Sequence, residues 1–206
     1  MALSTFVKIS GITNLSDARY CAGMYVDLLG FSLEETSDKH VSPKEFEEIT
    51  GWVSGLEFVG EFESYTADEV LETVKNYPAV SWVEHVRIDS LAKLEGKGLG
   101  LIYKMDLNEV RHMELEVAEK LNSLGIVFHV TSATDELNDE DLKSIKKLSE
   151  NCQVILGVGI KARTIKNLLV DLNLYGISLS GGEEIKPGLK DFDELAEILE
   201  ELEVEE

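Results

Sequence analysis

Short apolar runs alternate with amphipathic segments from one end of the chain to the other. The runs are rich in β-branched residues, which predicts strands, and the segments between them repeat apolar positions at helical spacing. The predicted strands are Phe6–Ser10, Asp27–Ser32, Glu57–Phe62, Ala79–Arg87, Leu99–Lys104, Gly125–Thr131, Gln153–Gly157 and Gly176–Ser180. The predicted helices are Leu15–Met24, Pro43–Val53, Ala67–Tyr77, Ser90–Leu94, Leu107–Leu124, Asp139–Glu150, Ala162–Leu172 and Phe192–Leu202.

The strict alternation of strands and helices predicts a parallel sheet, because a crossover helix brings the chain back in the same direction. Eight such units close naturally into a barrel. We therefore expect an α/β protein with a single (β/α)8 TIM barrel over residues 1–206. The competing architecture is an open doubly wound sheet, which usually has five or six strands.

Polar residues that can cap a helix stand directly before several predicted helices. Their side chains would accept hydrogen bonds from the unpaired backbone N–H groups of the first turn. These residues are Asn14, Ser42, Thr66, Asn138 and Asp191. Glu45 and Glu69 follow Ser42 and Thr66 by three residues, which is the spacing of a capping box.

The charge balance narrows the classes of partner. The chain has 40 acidic and 19 basic residues, a formal net charge of −21. Nucleic acids and anionic membranes attract positive surface, so we expect this chain to bind neither. The sequence has no apolar run of membrane-spanning length and no signal-peptide pattern, so we expect a cytoplasmic protein. As a separate expectation, the protein is a monomer or a homodimer.

Cys21 and Cys152 stand far apart in the sequence. We interpret them as reduced, buried thiols of a cytoplasmic protein. Neither the cysteine nor the histidine spacing fits a ligand set for a metal, so we predict no metal and no cofactor.

In a (β/α)8 barrel the functional groups lie at the carboxyl ends of the strands. The first predicted strand ends in Lys8-Ile-Ser10, and the alternation of a strand puts Lys8 and Ser10 on one face. A lysine inside a barrel needs a carboxylate or a ligand as its partner, because an unpaired buried ammonium costs several kcal/mol.

Glycines follow the last two predicted strands. They are Gly157 and Gly159 after the seventh strand, and Gly181 and Gly182 after Ser180 at the end of the eighth. The loops after strands seven and eight of such barrels often hold a phosphate, and glycines let an anion approach the backbone N–H groups. The two loops together predict a phosphate site.

Several of these segments resemble the phosphoribosylanthranilate isomerase family, a (β/α)8 enzyme family of tryptophan biosynthesis. VKISGITNLSDA at 7–18 resembles the opening motif VKICGITNLEDA, and LLGFSLEETSDKHVSP at 28–43 is similar to the second strand and its loop. GVGI at 157–160 and SLSGGEEIKPGLKD at 178–191 resemble the two phosphate loops. The resemblance implies an Amadori rearrangement, which converts an aminoaldose phosphate to an aminoketose phosphate.

The resemblance also implies roles for residues in this chain. Ser10 stands where the family has a cysteine as the base, and a hydroxyl is a far weaker acid than a thiol and so a poor base without help. His129 stands where the family has an aspartate as the acid, although a shift of one residue would put Val130 there. Ser178 replaces an aspartate expected in the eighth strand.

The resemblance assigns further residues to substrate binding. Lys39 stands where the family has an arginine for the anthranilate carboxylate, and His85 matches a histidine near the end of the fourth strand. Lys8 and Arg87 are further candidates for contact with a phosphorylated substrate. The loop 131–138, TSATDELN, replaces a glycine-rich run of the family.

The sequence leaves three functions open. One is an isomerase with altered acid and base residues. The second is a non-catalytic or differently specific phosphosugar-binding paralogue of the same family. The third is a different reaction on a phosphosugar, which would use Lys8, His85, Arg87 and His129.

Overall fold

Eight parallel strands form a closed barrel in the computed structural model, which describes residues 2–181, 183–186 and 189–204. In chain order the strands are β1 (Phe6–Ser10), β2 (Leu28–Ser32), β3 (Glu57–Phe62), β4 (Trp82–His85), β5 (Gly100–Asp106), β6 (Ile126–Thr131), β7 (Val154–Leu156) and β8 (Gly176–Ser180). Each strand pairs with the next, and β8 pairs in parallel with β1 to close the ring. The (β/α)8 prediction is confirmed, and the open doubly wound sheet is excluded.

Helices surround this ring. They are α1 (Leu15–Gly23), α2 (Pro43–Thr50), α3 (Ala67–Val74), α4 (Ile88–Leu94), α5 (Leu107–His112), α6 (Leu115–Ser123), α7 (Asp139–Ser149), α8 (Ile165–Leu172) and α9 (Asp193–Leu202). Two short antiparallel pairs lie outside the barrel. Ala2–Leu3 pairs with Glu203–Val204, and Glu183–Lys186 pairs with Leu189–Asp191. Within the described residues, no helix combines the length and the apolar character that a membrane crossing needs.

Four of the predicted helix caps are present in the structure. Asn14 and Asn138 cap α1 and α7 with their side chains, and Ser42 and Thr66 form complete capping boxes with glutamates of α2 and α3. Each such cap typically contributes about 1 kcal/mol to helix stability. Asp191 was expected to cap the last helix, but Phe192 occupies that position without a side-chain hydrogen bond.

The segment predicted as one helix over Leu107–Leu124 contains two. The backbone is extended at Met113 and Glu114, which separates α5 from α6. Leu107 and Ala118, which are buried in the two helices, are eleven residues apart, or about three helical turns. The apolar spacing therefore stays in phase across the break, so the pattern alone could not reveal it.

The interior of the barrel has two layers of different character. Toward the amino ends of the strands it is filled by apolar side chains, namely Leu28, Val59, Ile102, Val127 and Ile155, with Phe6 and Trp82 packed against them. Toward the carboxyl ends it contains buried charged side chains, of which Lys8, Glu84 and His129 are nearly inaccessible to solvent. We call these the apolar layer and the charged layer. The charged layer forms the floor of the site.

Candidate functional site

A cavity of about 1600 Å³ opens at the carboxyl ends of the strands. Five side chains from five different strands reach it, and they are Ser10, Glu61, Glu84, His129 and Ser178. Parallel strands bring their carboxyl ends to one edge, so residues far apart in sequence meet here. The position agrees with the expectation that the chemistry lies at this end.

Lys8 is the centre of the charged layer. Its side chain is fully buried, and its Nζ lies 2.7 Å from Glu61 Oε1, 3.1 Å from Glu84 Oε2 and 2.6 Å from Ser10 Oγ. The carboxylate partner expected for a lysine inside the barrel is therefore present twice. Two carboxylates and a hydroxyl use all three N–H donors of the ammonium.

The ion pairs shift the pKa values of both the lysine and the glutamate. Burial by itself would lower the pKa of Lys8, but the charges of Glu61 and Glu84 outweigh it and raise that pKa above its ordinary value. Burial would raise the pKa of Glu84, but Lys8 and His129 hold that pKa well below its usual range. Both directions stabilise the charged forms, so this is a buried ion pair and not a neutral one.

His129 continues the network on the other side of Glu84. Its Nδ1 lies 2.7 Å from Glu84 Oε2, the same oxygen that Lys8 approaches. Because an ionised carboxylate only accepts hydrogen bonds, Nδ1 carries the proton and donates it. Nε2 lies on the side of Gly157, toward the cavity, where a Cβ on Gly157 would come within 2.8 Å of it.

The structure resolves the register of β6. His129 points into the barrel above Val127 of the apolar layer, whereas Val130 is packed in the outer core between strands and helices. His129, and not Val130, therefore stands at the position that faces the cavity.

Ser10 is joined to Lys8 on one side and to Ser178 on the other. The Ser10 and Ser178 hydroxyl oxygens are 3.2 Å apart. Because Lys8 donates to Ser10 Oγ, the Ser10 proton is free to go to Ser178 or to a ligand. A continuous run of hydrogen bonds thus joins Ser10 to His129 through Lys8 and Glu84.

Two other predicted binding residues lie elsewhere. His85 is fully buried, with Nε2 2.7 Å from the Tyr65 carbonyl oxygen and Nδ1 accepting from the Arg87 N–H at 2.9 Å. Burial lowers the pKa of His85 below its usual value, which the hydrogen bond to Tyr65 offsets only in part. His85 therefore fixes the loop after β3, and neither His85 nor the exposed Arg87 lines the cavity.

A glutamate fixes the same loop from β2. The Glu34 carboxylate is buried and accepts hydrogen bonds from the backbone N–H groups of Glu63, Ser64 and Tyr65. Burial would raise its pKa, but these hydrogen bonds lower the pKa below its ordinary value. The wall of the cavity between β2 and β3 is therefore held by a buried carboxylate that accepts several hydrogen bonds.

The predicted phosphate loops have their backbone donors engaged within the protein. The Gly157 N–H donates to the Val130 carbonyl, and the Gly181 N–H donates to the Ser10 carbonyl. The Gly159 N–H donates to a side chain, the carboxylate of Asp135, at 2.6 Å. Gly157, Ser180 and Gly181 line the cavity, and Gly182 lies outside the described residues.

Lys39 supplies an exposed positive charge at the rim. Its ammonium lies beside Gly11 at the end of β1, and it forms no ion pair with the part of the chain that the structure describes. Lys104, the other lysine of the rim, is paired with Glu63 at 3.1 Å. Lys39 is thus placed to meet an anionic group of a ligand.

Neither Cys21 nor Cys152 takes part in the site. Both are buried thiols that form no disulfide, as predicted, and burial raises the pKa of Cys152 to about 11. Residues 2–181 with the described parts of 183–204 contain no group of three or more His, Cys, Asp or Glu side chains arranged to hold a metal ion.

Sequence reasoning missed three residues of this site, Glu61, Glu84 and Asp135. A signal existed for the two glutamates. Each occupies an inward position of its strand, two residues after an apolar or aromatic residue that faces the barrel interior. Because a buried lysine needs a partner of opposite charge, the inward-facing carboxylates of neighbouring strands are its natural candidates. For Asp135, in a loop without regular structure, no such pattern exists.

Comparison with known proteins identifies the family to which this chain belongs. The family model for N-(5'phosphoribosyl)anthranilate (PRA) isomerase matches residues 7–201. An N-(5'-phosphoribosyl)anthranilate isomerase of Geobacter metallireducens is 28% identical, covering 94% of this chain and 96% of its own. The corresponding protein of Gloeothece citriformis is 25% identical, covering 95% and 93%.

Solved structures give the same result for the fold. Phosphoribosyl anthranilate isomerase of Thermotoga maritima superposes with a TM-score of 0.78 at 20% identity, covering 96% of this chain and 98% of its own. A phosphoribosyl anthranilate isomerase in complex with reduced 1-(o-carboxyphenylamino)-1-deoxyribulose 5-phosphate superposes with a TM-score of 0.74 at 19% identity, with the same coverage. Because the family model spans nearly the whole barrel, this chain belongs to the N-(5'-phosphoribosyl)anthranilate isomerase family.

Proposed function

We propose that this chain is an aldose–ketose isomerase that rearranges an aminoaldose phosphate bearing an anthranilate group, with Ser10 and His129 as its proton-transfer residues. The observation that carries the proposal is that both residues line one cavity and are joined by hydrogen bonds through Lys8 and Glu84. These are the positions of the acid and base that the family resemblance implies.

The first half of the reaction needs two proton transfers, at two atoms that are both bonded to C1. The ring oxygen must gain a proton as its bond to C1 breaks, and C2 must lose a proton as the C1–C2 double bond forms. A donor and an acceptor at the edge of one cavity meet this need. Neither ring opening nor proton abstraction alone would give the ketose.

Lys39 is the residue we propose for the carboxylate of the anthranilate group. Its ammonium is exposed at the rim beside Gly11, the residue that follows Ser10 at the end of β1. A lysine meets a carboxylate as a point charge without the paired hydrogen bonds of an arginine, so we expect looser orientation of the ring. Lys8, by contrast, is buried and paired, and we propose that it contacts Ser10 and not the substrate.

For the phosphate we propose the loops after β7 and β8, with the Gly159 N–H as the main donor. Asp135 holds this N–H, and an exposed side chain is easier to displace than the backbone carbonyls on Gly157 and Gly181. Asp135→Ala should therefore tighten the binding of inorganic phosphate, because it frees a donor and removes a negative charge. Titration with phosphate, followed by the amide resonances of Gly159 and Gly181, tests the site.

The test of activity is turnover of phosphoribosylanthranilate, followed by the fluorescence of the anthranilate adduct. Each proton-transfer group contributes about 10²- to 10⁴-fold to the rate, so Ser10→Ala and His129→Gln should lower kcat/KM by at least about 100-fold. Glu57→Gln is the matched control, because Glu57 also bonds neighbouring side chains but does so at the amino end of β3. Phosphate binding without turnover in the unmodified protein would favour the non-catalytic paralogue.

We further propose that the protein acts in the cytoplasm. Its quaternary state, monomer or homodimer, stays a prediction that sedimentation analysis decides.

A further inference from the structure

The two ends of the hydrogen-bonded run between Ser10 and His129 have opposite charges behind them. Behind His129 stands the carboxylate of Glu84 at 2.7 Å, and behind Ser10 stands the ammonium of Lys8 at 2.6 Å. Lys8, Glu84 and His129 are buried and Ser10 is partly buried, so bulk water screens their effect on one another only weakly.

A carboxylate behind an imidazole makes the imidazole suited to accept a proton. Glu84 holds the tautomer in which Nδ1 carries the proton, so Nε2 presents a lone pair, and it stabilises the imidazolium that forms when Nε2 is protonated. An ammonium behind a hydroxyl has the opposite effect. Lys8 stabilises negative charge on Ser10 Oγ and so favours release of the Ser10 proton.

We infer that His129 is the base and Ser10 the acid of the proposed isomerisation, the reverse of the roles that the family resemblance gives to these two positions. Glu84 and Lys8 are positioning residues that set this polarity. The inference rests on the proposed function and assigns the direction of proton transfer within it.

The protons and electrons balance in this order. His129 Nε2 takes the proton from C2, the C–H electron pair forms the C1–C2 double bond, and the electrons of the C1–O bond leave with the ring oxygen. That oxygen takes the Ser10 proton, which leaves an imidazolium beside Glu84 and an alkoxide beside Lys8. In the second half the imidazolium gives its Nε2 proton to C1, and the alkoxide takes the proton of the 2-hydroxyl. The ketose forms and both residues return to their starting states.

The pH profile separates the two assignments. The titratable groups around His129 in the described residues are Glu84 on β4 and, beyond it, Lys8 on β1 with Glu61 on β3. Lys104 on the adjacent strand β5 is turned to Glu63. If His129 is the base, kcat/KM falls toward acid pH, because a protonated imidazole cannot accept a proton. A fall toward alkaline pH would instead make His129 the acid and overturn the inference.

Ser10→Cys gives a second, independent readout. A thiol beside an ammonium ionises to a thiolate, which is a good base and has no proton to donate. If Ser10 is the acid, the variant should lose about 100-fold or more in kcat/KM, as Ser10→Ala does. A gain in rate would show that position 10 acts as the base. Ser32→Cys, which puts a thiol on the cavity wall at the end of β2, is the matched control.

Glu84→Gln tests the positioning role. It keeps the shape but loses the charge behind His129, so kcat should fall by at least about 100-fold while KM changes little, since Glu84 lies beneath His129 and not beside the substrate. Combined with His129→Gln, the losses should not add. A fall confined to KM, or fully additive losses, would contradict this role.

A readout that needs no turnover keeps this inference separate from the proposed function. Nitrogen chemical shifts of ¹⁵N-labelled histidine report which ring nitrogen of His129 carries the proton. We expect Nδ1–H with a bare Nε2 near neutral pH, and loss of this preference in Glu84→Gln. An unmodified protein without turnover would refute the proposed function, whereas an Nε2–H tautomer would refute the assignment of His129 as a base.

Discussion

The two layers inside the barrel are built from the same eight strands, yet they are held together by different forces. The apolar layer fills the amino end with side chains such as Ile102 and Val127, which contribute by leaving water. The charged layer fills the carboxyl end with Lys8, Glu61 and Glu84, which contribute only because each charge has a partner. Truncating one side chain of the apolar layer lowers stability in proportion to the apolar volume that is removed. Removing one charge from the charged layer instead leaves the opposite charge without its partner.

This difference has a functional meaning. A buried ion pair is a weak device for stability, since apolar residues of similar volume often do as well. A barrel that keeps such a pair under its cavity, while the other end is purely apolar, uses the charges for something besides folding. In this chain they lie directly beneath Ser10 and His129.

The largest expected effect comes from removing the one cation of the charged layer. Lys8→Met leaves the buried Glu84 and the partly buried Glu61 without their shared ammonium and should lower the free energy of unfolding by about 3–5 kcal/mol in urea titrations. Lys104→Met, which removes a partly exposed ion pair at the rim, should cost about 0–1 kcal/mol. Equal effects of the two substitutions would mean that the buried pair is no more demanding than a surface pair.

A truncation in the apolar layer should cost somewhat less and should not depend on charge. Ile102→Ala leaves a cavity among well-packed neighbours and should lower the free energy of unfolding by about 2–5 kcal/mol. Val170→Ala on α8 is the control, since Val170 is 80% exposed and should change stability by at most about 0.5 kcal/mol. The cost of Ile102→Ala should be the same at low and high salt, and a strong salt dependence would contradict it.

The charged layer, unlike the apolar layer, should make stability depend on pH at both extremes. Folding lowers the pKa of Glu84, so the contribution of Glu84 to the free energy of unfolding is complete above pH 4.5 and is lost as the pH falls below that value. The pKa of Lys8 is raised, so its contribution is complete below 10.5 and is lost as the pH rises through the higher folded value. Denaturant midpoints between pH 3 and pH 7 should fall less steeply in Glu84→Gln than in the unmodified chain.

The smallest expected effect concerns His85, which lies outside both layers. Folding lowers the pKa of His85, so the folded state resists its protonation, and stability should decline as the pH falls below 6.5. Melting temperatures at pH 7 and pH 5.5 should differ less in His85→Gln than in the unmodified chain. A decline of equal size in the variant would assign the effect to other groups.

Much of the fold could be predicted because it depends on local patterns. The strand positions follow from apolar runs, and the caps at Asn14, Ser42, Thr66 and Asn138 follow from short-range chemistry. The break at Met113 could not be predicted, since the apolar stripe continues through it. Local patterns set the elements, but not every interruption within them.

The site was predictable where strand alternation applies and not where loops decide. Alternation puts Lys8 and Ser10 on one face and also gives inward positions to the glutamates of β3 and β4, but only the closed barrel shows that both carboxylates contact Lys8. Strand alternation also explains why the two histidines have different surroundings. His129 takes an inward position on β6, whereas His85 takes an outward position on β4, one residue after inward-facing Glu84. The bond between Asp135 and the Gly159 N–H depends on two loop conformations and left no trace in the sequence pattern.

The glycines at positions 30 and 157 limit how this site could be moved to another protein. A side chain on Gly30 would occupy the space of the Glu61 carboxylate, and one on Gly157 would press on His129 Nε2 at 2.8 Å. The room for Glu61 and for His129 therefore depends on a glycine in a neighbouring strand, or directly after one, that has no side chain to fill it. If Lys8, Glu61, Glu84 and His129 were grafted into a different barrel, the positions equivalent to Gly30 and Gly157 would also have to be glycine. Otherwise the grafted side chains would not fit.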